Sequence, residues 1–352
     1  MTRIAAVRAS FPPNRYPQSE LTDMAARICL PEGADRRVLD RLHHSARVEF
    51  RNLALPIERY DKLDGFGAAN EAFVDTAVEL GTEAVGAALR AAGVAPDEVD
   101  LIMFTSVTGV AAPSVDARIA GRLGLRPDVK RVPVFGLGCV AGAAGLARLH
   151  DYLRGWPDHV AVLLSVELCS LTVQRGDASP ANLVASALFG DGAAAVVACG
   201  GERPGGGEGP RVVATRGHLY PGSEHVMGWQ VRDTGFGVLL DASVPDVVRR
   251  YLADDVHDFL ADHGLTTRDV AAWVCHPGGP KVLEAVAETL DLPAGALDLT
   301  WRSLAAHGNL SSSSVLNVLA DTIALRPPDP GSPALLIAMG PGFCSELVLL
   351  RW

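Results

Sequence analysis

Residues 131–150 read RVPVFGLGCVAGAAGLARLH: an apolar run, a glycine-rich turn, and a cysteine at the head of a small-residue helix. Val132, Val134 and Phe135 before a Gly-x-Gly turn predict a buried strand ending at Gly136. From Cys139 to about Arg154 the pattern is helical, and Pro157 stops it from running far beyond. Gly138, Ala141, Gly142 and Gly145 share one narrow face without bulk, beside an apolar face of Leu146, Leu149 and Leu153. Such a helix can approach another backbone closely, so it belongs at the centre of a fold. At its start Cys139 lies near unpaired N–H groups and the positive end of the helix dipole, which favour thiolate. The same residue also fits a small core cysteine. Gly136, Gly138 and Gly142 after a strand imitate a dinucleotide-binding turn, though their spacing is unusual.

Working outward, the second half of the chain repeats this pattern. DEVDLIMFTSVTG ahead of the cysteine has a counterpart in RDVAAWVCHPGG, each a polar lead-in, an apolar strand and a turn. GLGCVAGAAGLARL is matched by HGNLSSSSVLNVL, and AVLLSVE by ALLIAMG. Three matched elements in one order predict two related α/β halves, 1–204 and 205–352, with helices between sheets. GGERPGGGEGP at 200–210 reads as the surface connection between them. Before the cysteine segment the chain shows a strand at Ile4–Ala9, helices at 19–29, 70–94 and 114–123, and the basic run Arg36, Arg37, Arg41, Arg47 and Arg51. That run suits a solvated face or a phosphate-bearing ligand.

In α/β folds ligands gather where strands end and helices begin. The two-fold relation therefore brings Cys139 of the first half to face His276 and Asn309 of the second. Cys139 can hold an acyl group as a thioester, with His276 as ion-pair partner of its thiolate. His276 and Asn309 can donate hydrogen bonds to a carbonyl oxygen that becomes an enolate when a malonyl thioester loses carbon dioxide. Taken singly, His276 also fits a strand-end residue and Asn309 a helix cap.

VPVFGLGCVAGAAGL, ALFGDGAAAVV, CHPGGPKVLEAV, HGNLSSSSVL and MGPGF, in this order from about residue 4 to the C-terminus, resemble the motifs of type III polyketide synthases, the chalcone-synthase-like branch of the thiolase fold. The resemblance implies a five-layered αβαβα fold and a homodimer. It implies Cys139, His276 and Asn309 as catalytic triad, acting on an acyl-CoA starter and a malonyl-CoA extender with neither metal nor redox cofactor. Phe189 and Phe236 match aromatic gatekeepers, and Thr108, Cys169, Thr172 and Ser311 match cavity-lining positions. Gly340, Pro341 and Gly342 match the C-terminal glycine-proline loop, and Arg41 matches one cation of the CoA phosphate site. The loop methionine of plant enzymes has no equivalent in GVAAPS, where Ala111 and Ala112 stand. Cys169 replaces a plant threonine, as in bacterial relatives resembling long-chain acyl users, which suggests a fatty acyl starter and an alkylpyrone or alkylresorcinol product. A ketoacyl synthase III-like single condensation is the nearest alternative, and a cysteine thioester hydrolase a more distant one.

Composition fits an enzyme of this kind. The 352 residues are 48% hydrophobic and 20% charged with a formal charge of −10, which argues against general affinity for nucleic acid or anionic membranes. Six cysteines without CxxC pairs suggest reduced thiols and a cytoplasmic location. The N-terminal residues have no apolar h-region, and no apolar run reaches membrane-spanning length.

Overall fold

The computed structural model describes residues 1–205 and 209–352. Gly206, Gly207 and Glu208 of the expected connection lie outside the described residues. In chain order the first part contains β1 (Thr2–Ser10), β2 (Asn14–Pro17), α1 (Gln18–Cys29), α2 (Arg37–Ser45), β3 (Phe50–Leu53) and α3 (Ile57–Tyr60). There follow α4 (Gly65–Ala92), β4 (Leu101–Thr105), α5 (Val115–Leu123), β5 (Lys130–Val134), α6 (Ala141–Gly155), β6 (Val160–Leu168), α7 (Pro180–Leu188) and β7 (Asp191–Cys199). The remainder begins with β8 (Arg211–Leu219), β9 (Met227–Arg232), β10 (Gly235–Leu240), α8 (Val244–Ala261) and β11 (Ala272–Cys275). It closes with α9 (Pro280–Thr289), α10 (Asp298–His307), α11 (Ser312–Leu325), β12 (Pro333–Gly340) and β13 (Cys344–Arg351).

The nine-stranded sheet has the order β11-β12-β13-β8-β1-β7-β6-β4-β5, and its two arms meet at the short β1/β8 pairing Thr2↔Val212 and Arg3↔Arg211. Each arm repeats one plan. β4 runs parallel to β6 and β11 parallel to β12; β6 then pairs antiparallel with β7, and β12 with β13. β7 joins β1 and β13 joins β8, both antiparallel. These are the matched elements of the sequence repeat.

Side-chain alternation along these strands builds the layers. Leu163 of β6, Val196 of β7, Leu336 of β12 and Val348 of β13 point inward and pack with Leu146 of α6 and Val315 and Leu319 of α11. Their neighbours in sequence point outward: Val162 and Val197 under α4, and Leu335 and Leu349 under α8 and α9. The result is five layers, helix–sheet–helix–sheet–helix, with α6 and α11 in the middle. Bare glycines let α6 approach both α11 and β6. A Cβ on Gly142 would collide with the Ser312 carbonyl, and one on Gly145 would sit 2.6 Å from Leu163. β5 departs from expectation. It is the edge strand of the sheet rather than a buried one, with Val132 and Val134 half-buried and Phe135 50% exposed, because no strand among the described residues pairs with its free side.

Candidate active site

Cys139 sits in a 3-10 turn, Gly138–Val140, between β5 and α6. Gly138 adopts φ +57, and its missing side chain makes room for Pro341, which a Cβ there would meet at 2.5 Å. A Cβ on Gly340 would lie 2.7 Å from the Val140 nitrogen. The Gly340–Gly342 loop thus packs directly against the turn carrying the thiol, while the residues on either side of it, Met339 and Phe343, line the cavity.

The second half brings its residues to the same place. His276 follows β11 and is held by its N–H bond to the Ile337 carbonyl of β12 at 2.9 Å. Asn309 lies ahead of α11, where its backbone bridges to Phe189: Asn309 N–H donates to the Leu188 carbonyl at 2.8 Å, and Gly190 N–H to the Asn309 carbonyl at 3.0 Å. The Asn309 side-chain Oδ1 accepts the Ser311 N–H at 2.8 Å, so the amide nitrogen is the end left to donate, 3.4 Å from the Gly278 carbonyl. Cys139, His276, Asn309 and Phe189 line one cavity of about 320 Å³, walled largely by apolar residues of α7, α8 and the β9–β10 hairpin. At its mouth stand Leu42 and Ser45 of α2, and Lys281, an exposed cation near the start of α9.

Electrostatics in this cavity run against the expected ion pair. Burial pushes the Cys139 thiol up to about 12 and the His276 imidazole down to about 4. Neither ring nitrogen of His276 has a hydrogen-bond partner among the described residues. Burial thus favours a neutral thiol and a neutral imidazole, since loss of solvent outweighs the helix start that favours thiolate. A neutral imidazole still carries one N–H donor. With the Asn309 amide it offers two donors to an oxygen in the cavity.

Ser311 touches Cys139, whose thiol donates to its Oγ at 3.6 Å. Phe189 separates the main cavity from a smaller one of about 60 Å³, which Cys169, Thr172, Trp229 and Val238 also line. Two assignments change. The strand period places Phe236, Val238 and Leu240 on one face of β10. Val238 and Leu240 reach the cavities, while Phe236 lines neither and packs instead against Phe66 at 5.1 Å and Phe135 at 5.8 Å. Thr108 is likewise one row back. Its hydroxyl accepts from Leu168 N–H at 2.9 Å and donates to Glu167 at 3.0 Å.

The basic run is mostly committed elsewhere. Arg36 pairs with Asp23 and Asp40, Arg37 with Asp35, and Arg47 with Glu284. Arg51 is buried and donates to the Phe189 carbonyl at 2.7 Å and to Gln18 at 3.1 Å, bracing the wall that holds Phe189. Arg41 is exposed on α2 and makes no ion pair among the described residues. Sequence reasoning missed Arg51 as a brace, Lys281 at the mouth and Glu167 behind Ser311. Glu167 had a signal, as the lone acidic residue in the otherwise apolar strand VAVLLSVEL.

The family model described as chalcone and stilbene synthases, N-terminal domain, matches residues 1–202, and its C-terminal counterpart matches 211–352. The chain is 61% identical over 352 residues to a 1,3,6,8-tetrahydroxynaphthalene synthase of Streptomyces peucetius subsp. caesius, covering 100% of this chain and 93% of that protein. It is 33% identical over 317 residues to a protein of the same name from Streptomyces griseus, 90% of this chain and 84% of that one. Among solved structures, the tetrahydroxynaphthalene synthase of Streptomyces coelicolor A3(2), a bacterial type III polyketide synthase, superposes with a TM-score of 0.93 at 28% identity, covering 99% of both chains. No helix among the described residues is long and apolar enough to cross a membrane.

Proposed function

The chain belongs to the chalcone and stilbene synthase family of type III polyketide synthases, transferases that condense CoA thioesters without a cofactor, and from this we propose that it uses malonyl-CoA as both starter and extender and closes the chain to a tetrahydroxynaphthalene. The observation that carries this reading is 61% identity, along the whole chain, to a protein named for that product. A tetrahydroxynaphthalene has no side chain in which a long acyl starter could survive, and two-carbon units account for all of its carbon. The cavity supports the same view. The space behind Phe189, about 60 Å³, holds roughly four water-sized groups rather than a long alkyl tail. The fatty acyl starter and alkylpyrone or alkylresorcinol product suggested by Cys169 gain no support from these relatives.

In this reading Cys139 takes the starter from CoA as a thioester, and Lys281 at the cavity mouth, with the exposed Arg41 next to Leu42 on α2, faces the CoA phosphates. The next malonyl-CoA places its thioester oxygen between the His276 N–H and the Asn309 amide. Loss of carbon dioxide leaves an enolate held by those two donors. Its carbon attacks the Cys139 thioester, the Cys139–acyl bond breaks, and the lengthened chain, now on CoA, returns to Cys139 for the next cycle. Purified protein given malonyl-CoA alone should release a tetrahydroxynaphthalene, read by mass spectrometry. Turnover that requires an added acyl-CoA and tracks its chain length would instead favour the alkylpyrone or alkylresorcinol reading.

We also propose a homodimer packed along β5. The edge strand has a free side, and just beyond its end stand the exposed Phe135 (50%) and Leu137 (37%). Phe135→Asp should weaken the dimer by roughly tenfold or more in light scattering. An undisturbed dimer would place the interface elsewhere.

A further inference from the structure

Phe343 lines the active-site cavity, and it is held from behind. The loop that leads to it, Gly340–Gly342, offers Pro341 alone as a side-chain anchor, and its two glycines leave the backbone free to take other paths. A hydroxyl from another part of the chain supplies the missing hold. Ser223, 7% exposed in the turn between β8 and β9, accepts the Phe343 N–H at 2.6 Å and donates to the Tyr220 carbonyl at 2.5 Å. Tyr220 in turn donates its N–H to the Phe343 carbonyl at 2.9 Å and packs its ring against Phe343 at 6.2 Å. The Tyr220 hydroxyl donates to Asp255 of α8 and lies 3.0 Å from Ser345 Oγ, which ties the group to the outer layer. The Ser223 carbonyl holds a second wall. It accepts the Val226 N–H at 3.0 Å, and the Val226 carbonyl accepts the Asp241 N–H at 2.9 Å. Met227 and Leu240, next to those two residues in sequence, line the cavity from the β9–β10 hairpin. One serine thus joins two walls that the chain builds separately, the Gly340–Phe343 loop and the hairpin.

We propose that Ser223 is a positioning residue: its hydroxyl fixes Phe343 relative to the hairpin, and the cavity shape so fixed decides how far the chain grows before it closes. The claim rests on the proposed function, since it concerns the cavity that Cys139, His276 and Asn309 share. Ser223 itself does not line that cavity, so its effect passes through Phe343. A buried N–H deprived of its acceptor costs enough to shift the wall between two positions by roughly tenfold. A chain that meets a displaced wall before it is complete leaves early. Its enol oxygen attacks the thioester carbonyl, the carbon–sulfur bond breaks, the enol proton passes to the departing thiolate, and a pyrone is released. Loss of carbon dioxide continues, because the His276 and Asn309 donors stand on other elements, after β11 and ahead of α11.

The alternative is that packing alone sets this wall, through Pro341 against Gly138 and Tyr220 against Phe343, with Ser223 as filler. The experiment gives malonyl-CoA to full-length wild type and to Ser223→Ala, counts the carbon dioxide released and resolves the products by mass spectrometry. With the clamp, Ser223→Ala makes shorter pyrones at the expense of the wild-type product. The yield of that product per carbon dioxide falls by roughly tenfold, while the rate of release stays within about threefold. A protein that is only destabilised would lose both in proportion, because fewer molecules would be folded and those would work normally. An unchanged yield per carbon dioxide in Ser223→Ala, at any rate of release, overturns the clamp. Should Ser223→Ala not fold, Ser223→Cys, close in volume but a weak acceptor, takes its place, and wild-type products from that variant overturn the proposal equally. A wild type that needs an acyl-CoA starter, or makes another product, sinks the proposed function; the Ser223 comparison is then read on that product with that starter.

Discussion

Cys139→Ala should fold and bind CoA thioesters yet lose product formation by roughly 10⁴-fold or more, the scale seen when a covalent nucleophile is removed. The reason is positional. Cys139 is 7% exposed and lines the cavity shared with His276 and Asn309. No other cysteine lines that cavity; Cys169 belongs to the smaller space beyond Phe189, and Cys275 is buried in the core under β12. The deletion removes one sulfur from a helix start already packed by Pro341 and α11, so the fold should tolerate it. Turnover within tenfold of wild type, measured as labelled product per enzyme, would mean that the acyl group is carried elsewhere.

Asn309→Ala should produce a different kind of failure. The Asn309 amide is one of two donors available to an enolate oxygen, and losing such a donor costs about 2.7–4 kcal/mol, or 10²–10³ in rate. Its backbone bonds to Leu188 and Gly190 survive the substitution, so the Phe189 wall stays in place. Decarboxylation and chain extension should therefore fall by roughly 10²–10³, while loading of Cys139 from malonyl-CoA continues. Radiolabelled carbon dioxide release separates the two steps. An unchanged rate of release would remove Asn309 from the enolate site.

Much of this site is legible in the sequence because it repeats. A strand, a turn and a helix start recur in each half, and the recurrence fixes that Cys139, His276 and Asn309 meet before any coordinate is known. The bare face of Gly138, Ala141, Gly142 and Gly145 likewise announces a central helix, and α6 packs on α11 at Gly142 and on β6 at Gly145. What the sequence hides depends on neighbours in space. Val132 and Val134 look buried by composition, yet β5 is an edge because of where the sheet stops. Phe236 carries the right side chain in a matching motif, but its position along β10 turns it toward Phe66 and Phe135 rather than a cavity. The ionisation of Cys139 follows a helix-start rule only until burial is counted, and burial dominates. Arg41 keeps its exposed place on α2, but around it Arg36 and Arg37 pair with the nearby Asp40 and Asp35, while Arg36 also reaches Asp23 and Arg47 reaches Glu284, pairings that no local pattern reveals.

The most direct test of the account is peptide mass spectrometry of Asn309→Ala after brief exposure to malonyl-CoA. Because loading precedes the step that needs Asn309, a malonyl adduct should accumulate on the peptide containing Cys139 and should vanish when Cys139→Ala is added. An adduct on another residue, or none on Cys139 while product still forms, would contradict the central claim that this thiol carries the growing chain.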